Sequence, residues 1–185
     1  ADRKLYAKRN QSAENISDRL AGIMRTLMVK RLESSFYAFK QSLKRLEKAT
    51  DNMINMFEKD RIFIAPDLNI NDLIEKGFTD EQILILIEKK GDNNKEFSAS
   101  DFTTDFLNNL KIDKEKISDL IKRWDKINFD PKMDAFVKEL NNKLFDKKYN
   151  QSGKLVIFTE STETAKEIEE KLKLNNFTKT LTIDS

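Results

Sequence analysis

The sequence predicts a mainly α-helical protein, a long-helix bundle that ends in a small C-terminal strand, helix and strand. Three observations carry that prediction. Charged residues make up 36% of the 185 positions against 38% hydrophobic, so apolar side chains must be concentrated on the stripes of amphipathic helices. Four glycines and two prolines are too few for many strands joined by tight turns. Apolar residues recur at steps of three and four over most of the chain; the runs around Leu155–Phe158 and Thr180–Asp184 have strand character, as does Ile83–Ile87 by composition, although its flanks Thr79 and Gly91 fit a helix better.

Residues 1–13 are polar and aperiodic and read as a loose lead-in. Ser17 is placed to cap a helix in which Leu20, Met24, Met28 and Leu32 follow at steps of four. From Leu32 the steps alternate between four and three: Phe36, Phe39, Leu43, Leu46, Thr50, Met53 and Phe57 form a heptad seam interrupted only by Thr50. Continuous from Asp18 to Lys59, this helix is about 60 Å long at roughly 1.5 Å per residue. The change of period near Lys30–Ser34 is equally compatible with a bend or a break there.

Residues 61–69 read as a connector, with a turn at Ala65-Pro66-Asp67 and Ile62–Ile64 held against the core. Asn69 or Asn71 caps a short helix that Gly77 ends. Thr79-Asp80-Glu81-Gln82 is a capping-box pattern opening a helix to about Lys90, stopped by Gly91. Gly91–Glu96 is the most loop-like stretch. Ser98 or Ser100 starts another helix with Phe102, Phe106 and Leu110 on one face, and the pattern continues through Ile112 to Trp124, a core anchor, with Asp113 able to restart it.

Asp130 precedes Pro131 and so leaves helical geometry, while Pro131 is suited to a first helical position. The helix it opens runs to about Leu144, with Met133, Phe136, Val137, Leu140, Leu144 and Phe145 on its stripe. Tyr149–Gly153 links this helix to a strand over Lys154–Thr159. Ser161 or Thr162 then caps a helix carrying Ala165, Ile168 and Leu172 on one face, and a second strand follows at Thr180–Asp184. The order is that of one βαβ unit, whose natural pairing is parallel. Three regions result: 1–60, 61–130 and 131–185.

Two stretches carry a family resemblance. Lys154-Leu-Val-Ile-Phe-Thr-Glu160, with Thr and Ala beyond it and Asp130-Pro131-Lys132 plus an amphipathic helix before it, resembles the opening of the second RecA-like lobe of a superfamily-two helicase of the Swi/Snf type. Lys30-Arg-Leu-Glu-Ser-Ser-Phe-Tyr-Ala-Phe-Lys-Gln-Ser-Leu-Lys-Arg45 resembles the segment that follows the first lobe in bacterial members of that group. Together they cover about a quarter of the chain. The resemblance implies an internal fragment of an ATP-dependent DNA helicase or translocase, holding the inter-lobe helical region and the start of the second lobe. It also implies DNA and the missing motor lobes as partners, with ATP and Mg as cofactors of the parent rather than of this fragment.

Charge is unevenly spread: net +5 over residues 1–60, −4 over 61–130 and +1 over 131–185. A basic N-terminal third is compatible with nucleic acid, and equally with a solvated helix face. On the first reading Lys30 and Arg31 lie near nucleic acid and Lys40, Lys44 and Lys48 form a row able to follow phosphates. On the second, the same lysines solubilise an outer face that Glu33, Glu47 and Asp51 partly neutralise. Lys132, Thr159 and Ser161 join the nucleic-acid candidates through the family resemblance, and helix capping is the competing role for Thr159 and Ser161.

With no cysteine and no histidine, the chain has neither a disulfide framework nor a Ser-His or Cys-His catalytic arrangement. No glycine belongs to a Gly-Lys-Ser or Gly-Lys-Thr phosphate loop, so the fragment is not expected to hydrolyse ATP alone, and no catalytic, cofactor or metal residue is assigned. The longest apolar run, Ile83–Ile87, is too short to span a membrane, and no signal peptide is visible, so a cytoplasmic location is expected. The chain starts Ala-Asp and ends on a strand with no partner in view, which reads as a piece of something larger. The alternative is a free-standing helical interaction protein whose long helix is a coiled-coil or homodimer seam.

Overall fold

The computed structural model describes residues 19–91 and 94–183. In order they form α1 (19–34), α2 (Phe36–Glu58), β1 (Ile62–Ile64), α3 (Ile70–Glu75), α4 (Asp80–Lys90), β2 (Lys95–Phe97), a 3-10 turn (Ala99–Asp101), α5 (Thr104–Asp125), α6 (Pro131–Glu139), a π-helical turn (Leu140–Leu144) and α7 (Thr162–Leu174). The protein is mainly helical with a small two-stranded antiparallel sheet. The expected lead-in and the Ser17 cap lie outside the described residues. Two compact units divide the chain: Leu43–Lys126, and the residues up to Ser42 together with those from Ile127 onward.

In the unit Leu43–Lys126 the core is Met56, Phe57, Ile62, Phe63, Ala65, Ile70, Ile83 and Ile87. Ile62–Ile64, expected as connector, is a strand, and it pairs antiparallel with Lys95–Phe97 in the register Ile62 with Phe97 and Ile64 with Lys95. The loop reading of Gly91–Glu96 is corrected at Lys95 and Glu96 only; Gly91 and Asn94 lie in no helix or strand, and residues 92 and 93 lie outside the described residues. Lys95-Glu96 carries no apolar alternation, because this two-residue stretch is held by side chains at its edge: Arg61 Nε donates to Glu96 Oε1 at 2.6 Å, and the guanidinium lies 5.5 Å from the Phe63 ring centroid. Buried Asn94 locks the approach to β2 by donating to the Asp67 carboxylate and accepting from the Asp67 N–H.

The caps follow the sequence closely. Asn69 accepts from Asp72 N–H, and Thr79 and Gln82 complete the expected capping box on α4. Helix α2 ends with Asp60 in the left-handed region at φ 55, its N–H on Phe57 O and the N–H of Arg61 on Met56 O, a Schellman closure. The Asp60 carboxylate then accepts from Ala99 N–H and the Ser98 hydroxyl, and these bonds, the backbone one foremost, hold it below the usual carboxylate range.

Ser98 therefore opens the 3-10 turn rather than the long helix expected there; α5 starts after Thr103 and runs without a restart at Asp113. No residue of α5 is fully buried. It is held on α2 by Phe102 and Phe106 against Phe57, with ring centroids 4.9 and 5.4 Å apart, and by Lys114 on Asp51 and Ser118 on Glu47. Trp124, expected as a core anchor, is half-buried.

The parallel βαβ unit is not formed. Residues 154–159 and 177–183 make no strand, and most of their apolar side chains face solvent: Val156 is 73% exposed, Phe158 92%, and Leu181 85%, while Leu155 is half-buried and Phe177 stacks on Phe145. Only the intervening helix is as expected. A pair of parallel strands cannot cover both of its faces, and among the described residues no third strand lies beside them.

Ile83 is wholly buried in the first core. Ile83→Ala should destabilise the protein by about 2–5 kcal/mol, measured by denaturant unfolding with Trp124 fluorescence, which reports on the same unit. An unchanged midpoint would mean that this core does not govern unfolding.

Candidate functional site at a helix break

The helix expected over Asp18–Lys59 is broken at one residue, Ser35, which separates α1 from α2. The break lies just beyond the stretch where the apolar spacing changes. A broken helix leaves N–H groups without acceptors on one side and C=O groups without donors on the other, and here both are supplied by residues of the same short sequence. Asp130 Oδ2 accepts from Phe36 N–H at 2.7 Å, while the Lys132 ammonium donates to Glu33 O at 3.0 Å. Ser35 Oγ accepts from Ala38 N–H at 3.0 Å, the ordinary N-cap bond.

Asp130 does this while capping a second helix. Its other oxygen, Oδ1, accepts from Lys132 and Met133 N–H at 3.0 and 3.2 Å, and Pro131 fills the first position of α6. One nearly buried carboxylate thus starts both α2 and α6. The sequence alone placed it as a helix breaker before Pro131 and not as a cap; its bond to Phe36, 94 positions away, has no local signature.

The start of α7 closes the junction. Arg31 Nη1 donates to Ser161 Oγ and to Glu163 Oε2, both at 2.8 Å. Ser161 Oγ also accepts from Thr164 N–H and donates to Glu163, so its capping role and its contact with Arg31 coexist. The hydroxyls of Ser34 and Thr164 lie 2.8 Å apart, and those of Ser35 and Thr164 3.3 Å apart. Glu167 Oε2 is buried with no hydrogen-bond partner among the described residues. Burial raises the Glu167 carboxyl above its ordinary range, and the negative Asp130 adds to this against the Ser35 hydroxyl.

Of the eight nucleic-acid candidates, Arg31, Lys132 and Ser161 meet in this junction. Thr159 is exposed beside it, its hydroxyl accepting from Ser161 N–H at 3.3 Å. Lys30 is exposed on α1. The basic row on α2 is divided: the Lys40 ammonium donates to Ile127 O at 2.9 Å, Lys48 pairs with Glu75 at 3.0 Å, and Lys44 is exposed. Ser34, Ser35, Glu163, Thr164 and Glu167 were not singled out as site residues. The adjacent serines at the change of period were the available signal for two of them.

Among family models, curated proteins and solved structures, none matches this chain. Among the described residues no phosphate cradle of the kind ATP and magnesium need is formed. Gly77 and Gly91 close helices, Gly153 lies in a turn and Gly22 lies within α1, so none cradles a phosphate at a helix start. No group of three or more potential metal ligands gathers among the described residues, and no described helix is long and apolar enough to cross a membrane.

Loss of a cap costs about 1 kcal/mol, so Asp130→Ala, which removes acceptors at two helix starts, should cost about 2–3 kcal/mol and abolish hydrogen-exchange protection of the Phe36 amide. Asp130→Asn keeps one acceptor oxygen and should fall between. Glu167 has a raised folded-state pKa, so its favourable contribution is complete below the ordinary value of 4.5 and is lost as pH rises through the folded value. Glu167→Gln should raise the unfolding midpoint at neutral pH and flatten its dependence above about pH 4.5; a parallel pH profile would remove Glu167 as the cause.

Proposed function

We propose that this chain belongs to an ATP-dependent DNA helicase or translocase of the bacterial Swi/Snf type, forming the helical region between the motor lobes and the beginning of the second. The carrying observation is a convergence. The two stretches that bear the resemblance are far apart in the chain, and residues in or next to them meet at the break between α1 and α2: Asp130 accepts from Phe36 N–H, Lys132 donates to Glu33 O, and Arg31 donates to Ser161, the residue after Glu160. In this reading the junction is a structural coupler: Arg31 and Asp130 fix the start of the second lobe to the helix that leaves the first.

The apolar run Leu155–Phe158, exposed from Val156 to Phe158, supports the same reading. Four consecutive apolar residues suit a central strand with neighbours on both sides, and in a motor those neighbours are the other strands of the second lobe. ATP binding, magnesium and most of the DNA track would then reside in the lobes, with Lys30, Lys44 and Thr159 as the exposed contacts offered by this region.

One observation favours the second reading, a helical interaction module. Leu20, Ile23, Met24 and Leu27 lie at helical spacing on α1 and all are exposed, as a face for a partner helix or a second copy would be.

The two readings separate by experiment. In a protein carrying this chain between its motor lobes, ATP hydrolysis should be stimulated by DNA, and Arg31→Ala should lower the stimulated rate by about tenfold while the protein stays folded, if lobe coupling contributes about 1.4 kcal/mol to the barrier. DNA-independent hydrolysis would remove the proposal. Sedimentation equilibrium of the present chain should give a monomer; a dimer abolished by Leu27→Lys would instead establish the interaction module.

A further inference from the structure

The segment from Lys143 to Lys154 contains four lysines, one carboxylate and Tyr149. All four lysines are exposed, and Tyr149 is 62% exposed. Exposed lysines alone indicate only a solvated surface. Here two further features set them apart.

First, the turn is knitted by groups other than the lysine side chains. Asn150 Nδ2 donates to Leu144 O at 2.9 Å and Lys154 O at 3.0 Å, and its Oδ1 accepts from Ser152 Oγ. Backbone N–H groups of Tyr149 and Asn150 both reach Asp146 O, and the Asp146 carboxylate accepts from Lys148 N–H. Gly153 takes φ 62, which a residue with a side chain would resist. Among the described residues, none of the four ammonium groups is in an ion pair.

Second, the charges are gathered on an aromatic face. The Lys143 and Lys148 ammonium groups lie 5.4 and 5.5 Å from the Tyr149 ring centroid. Lys143 is delivered there by the π-helical turn Leu140–Leu144, a widened geometry often found at functional positions. An exposed cation on a ring is held weakly, so a flat ligand can replace it there while the ammonium turns to a neighbouring anion.

We propose that the Lys143–Lys154 turn is a contact for a nucleic-acid strand, with an unstacked base on Tyr149 and adjoining phosphates on Lys143, Lys147, Lys148 and Lys154. A ring flanked by cations on a fixed turn is the arrangement that sequence-tolerant single-strand binding requires: stacking holds any base, and the charges follow the backbone. DNA as the strand rests on the motor reading; the stacking and phosphate chemistry belongs to the turn itself. This contact is separate from the candidates on α1 and α2.

The test is fluorescence polarisation of the whole chain with labelled oligo(dT), a duplex of equal length and inorganic polyphosphate as competitor, across a salt series. Tyr149→Ala should weaken oligo(dT) binding about tenfold, leave competition by polyphosphate within twofold, and leave helix content unchanged; Tyr149→Phe should bind as the parent chain does. Replacing Lys143 and Lys148 by Gln should reduce the salt slope by about 1.4. Unchanged binding by Tyr149→Ala, or equal affinity for polyphosphate and oligo(dT), overturns the proposal. If binding is lost only on Lys30→Gln and Lys44→Gln, the turn is wrong and a DNA-binding role stands. If no oligonucleotide binds even at low salt, the turn is wrong and DNA-stimulated ATP hydrolysis decides the motor reading separately.

Discussion

The unit that contains the break depends on one constraint: a helix interrupted at Ser35 must have its orphaned backbone groups satisfied. An acceptor and a donor, Asp130 and Lys132, are drawn from a three-residue sequence with proline between them. Proline fixes the spacing by ending extended geometry at Asp130 and starting helix at once. Asp130 can therefore serve two helix starts in a nearly buried position, where a carboxylate without partners would be strongly unfavourable. Removing either end of this arrangement exposes the other, so the break, α6 and the entry to α7 form one cooperative polar cluster.

The other unit solves a different problem. Its long α5 has no fully buried residue, and its attachment to α2 is divided between an aromatic group at one end and ion pairs along the rest. Exposed ion pairs contribute at most about 1 kcal/mol each and weaken with salt, so Phe57, Phe102 and Phe106, with Leu107 and Leu110 packed against the same core, set where α5 sits. Asp60 connects this to the sheet. It takes the left-handed position that ends α2, a place usually filled by glycine, and its carboxylate fixes the turn that leads to α5.

How much was legible in the sequence follows from the range of each interaction. Caps are local, and Asn69, Thr79 and Ser161 were readable from neighbours a few positions away, as was the break before Pro131. The position of the helix break was nearly readable, because the shift from steps of four to alternating steps ends beside Ser34-Ser35. Pairing across distance was not. Nothing in Lys95-Glu96-Phe97 announces a strand, since its partner Ile62–Ile64 supplies the apolar face. The converse failure is Leu155–Phe158, whose composition specifies a strand that the structure does not form. Site residues divided similarly: Arg31 was chosen for its charge, yet its observed bonds go to Ser161 and Glu163, partners 130 and 132 positions distant.

This contrast gives a way to separate structural cations from those directed outward. At the break, Arg31 and Lys132 are engaged by acceptors of the fold itself, and Lys40 is engaged by Ile127 O. In the Lys143–Lys154 turn the fold makes no such use of the side-chain amines. Asn150 and the backbone carry the turn, and the lysines gather around a ring that stands in solvent. Placing several like charges together opposes their being held there, so a turn that could be built without them gains no evident stability from the cluster. A polyanionic partner with a flat group would reverse that balance, neutralising the charges and covering the ring in the same event.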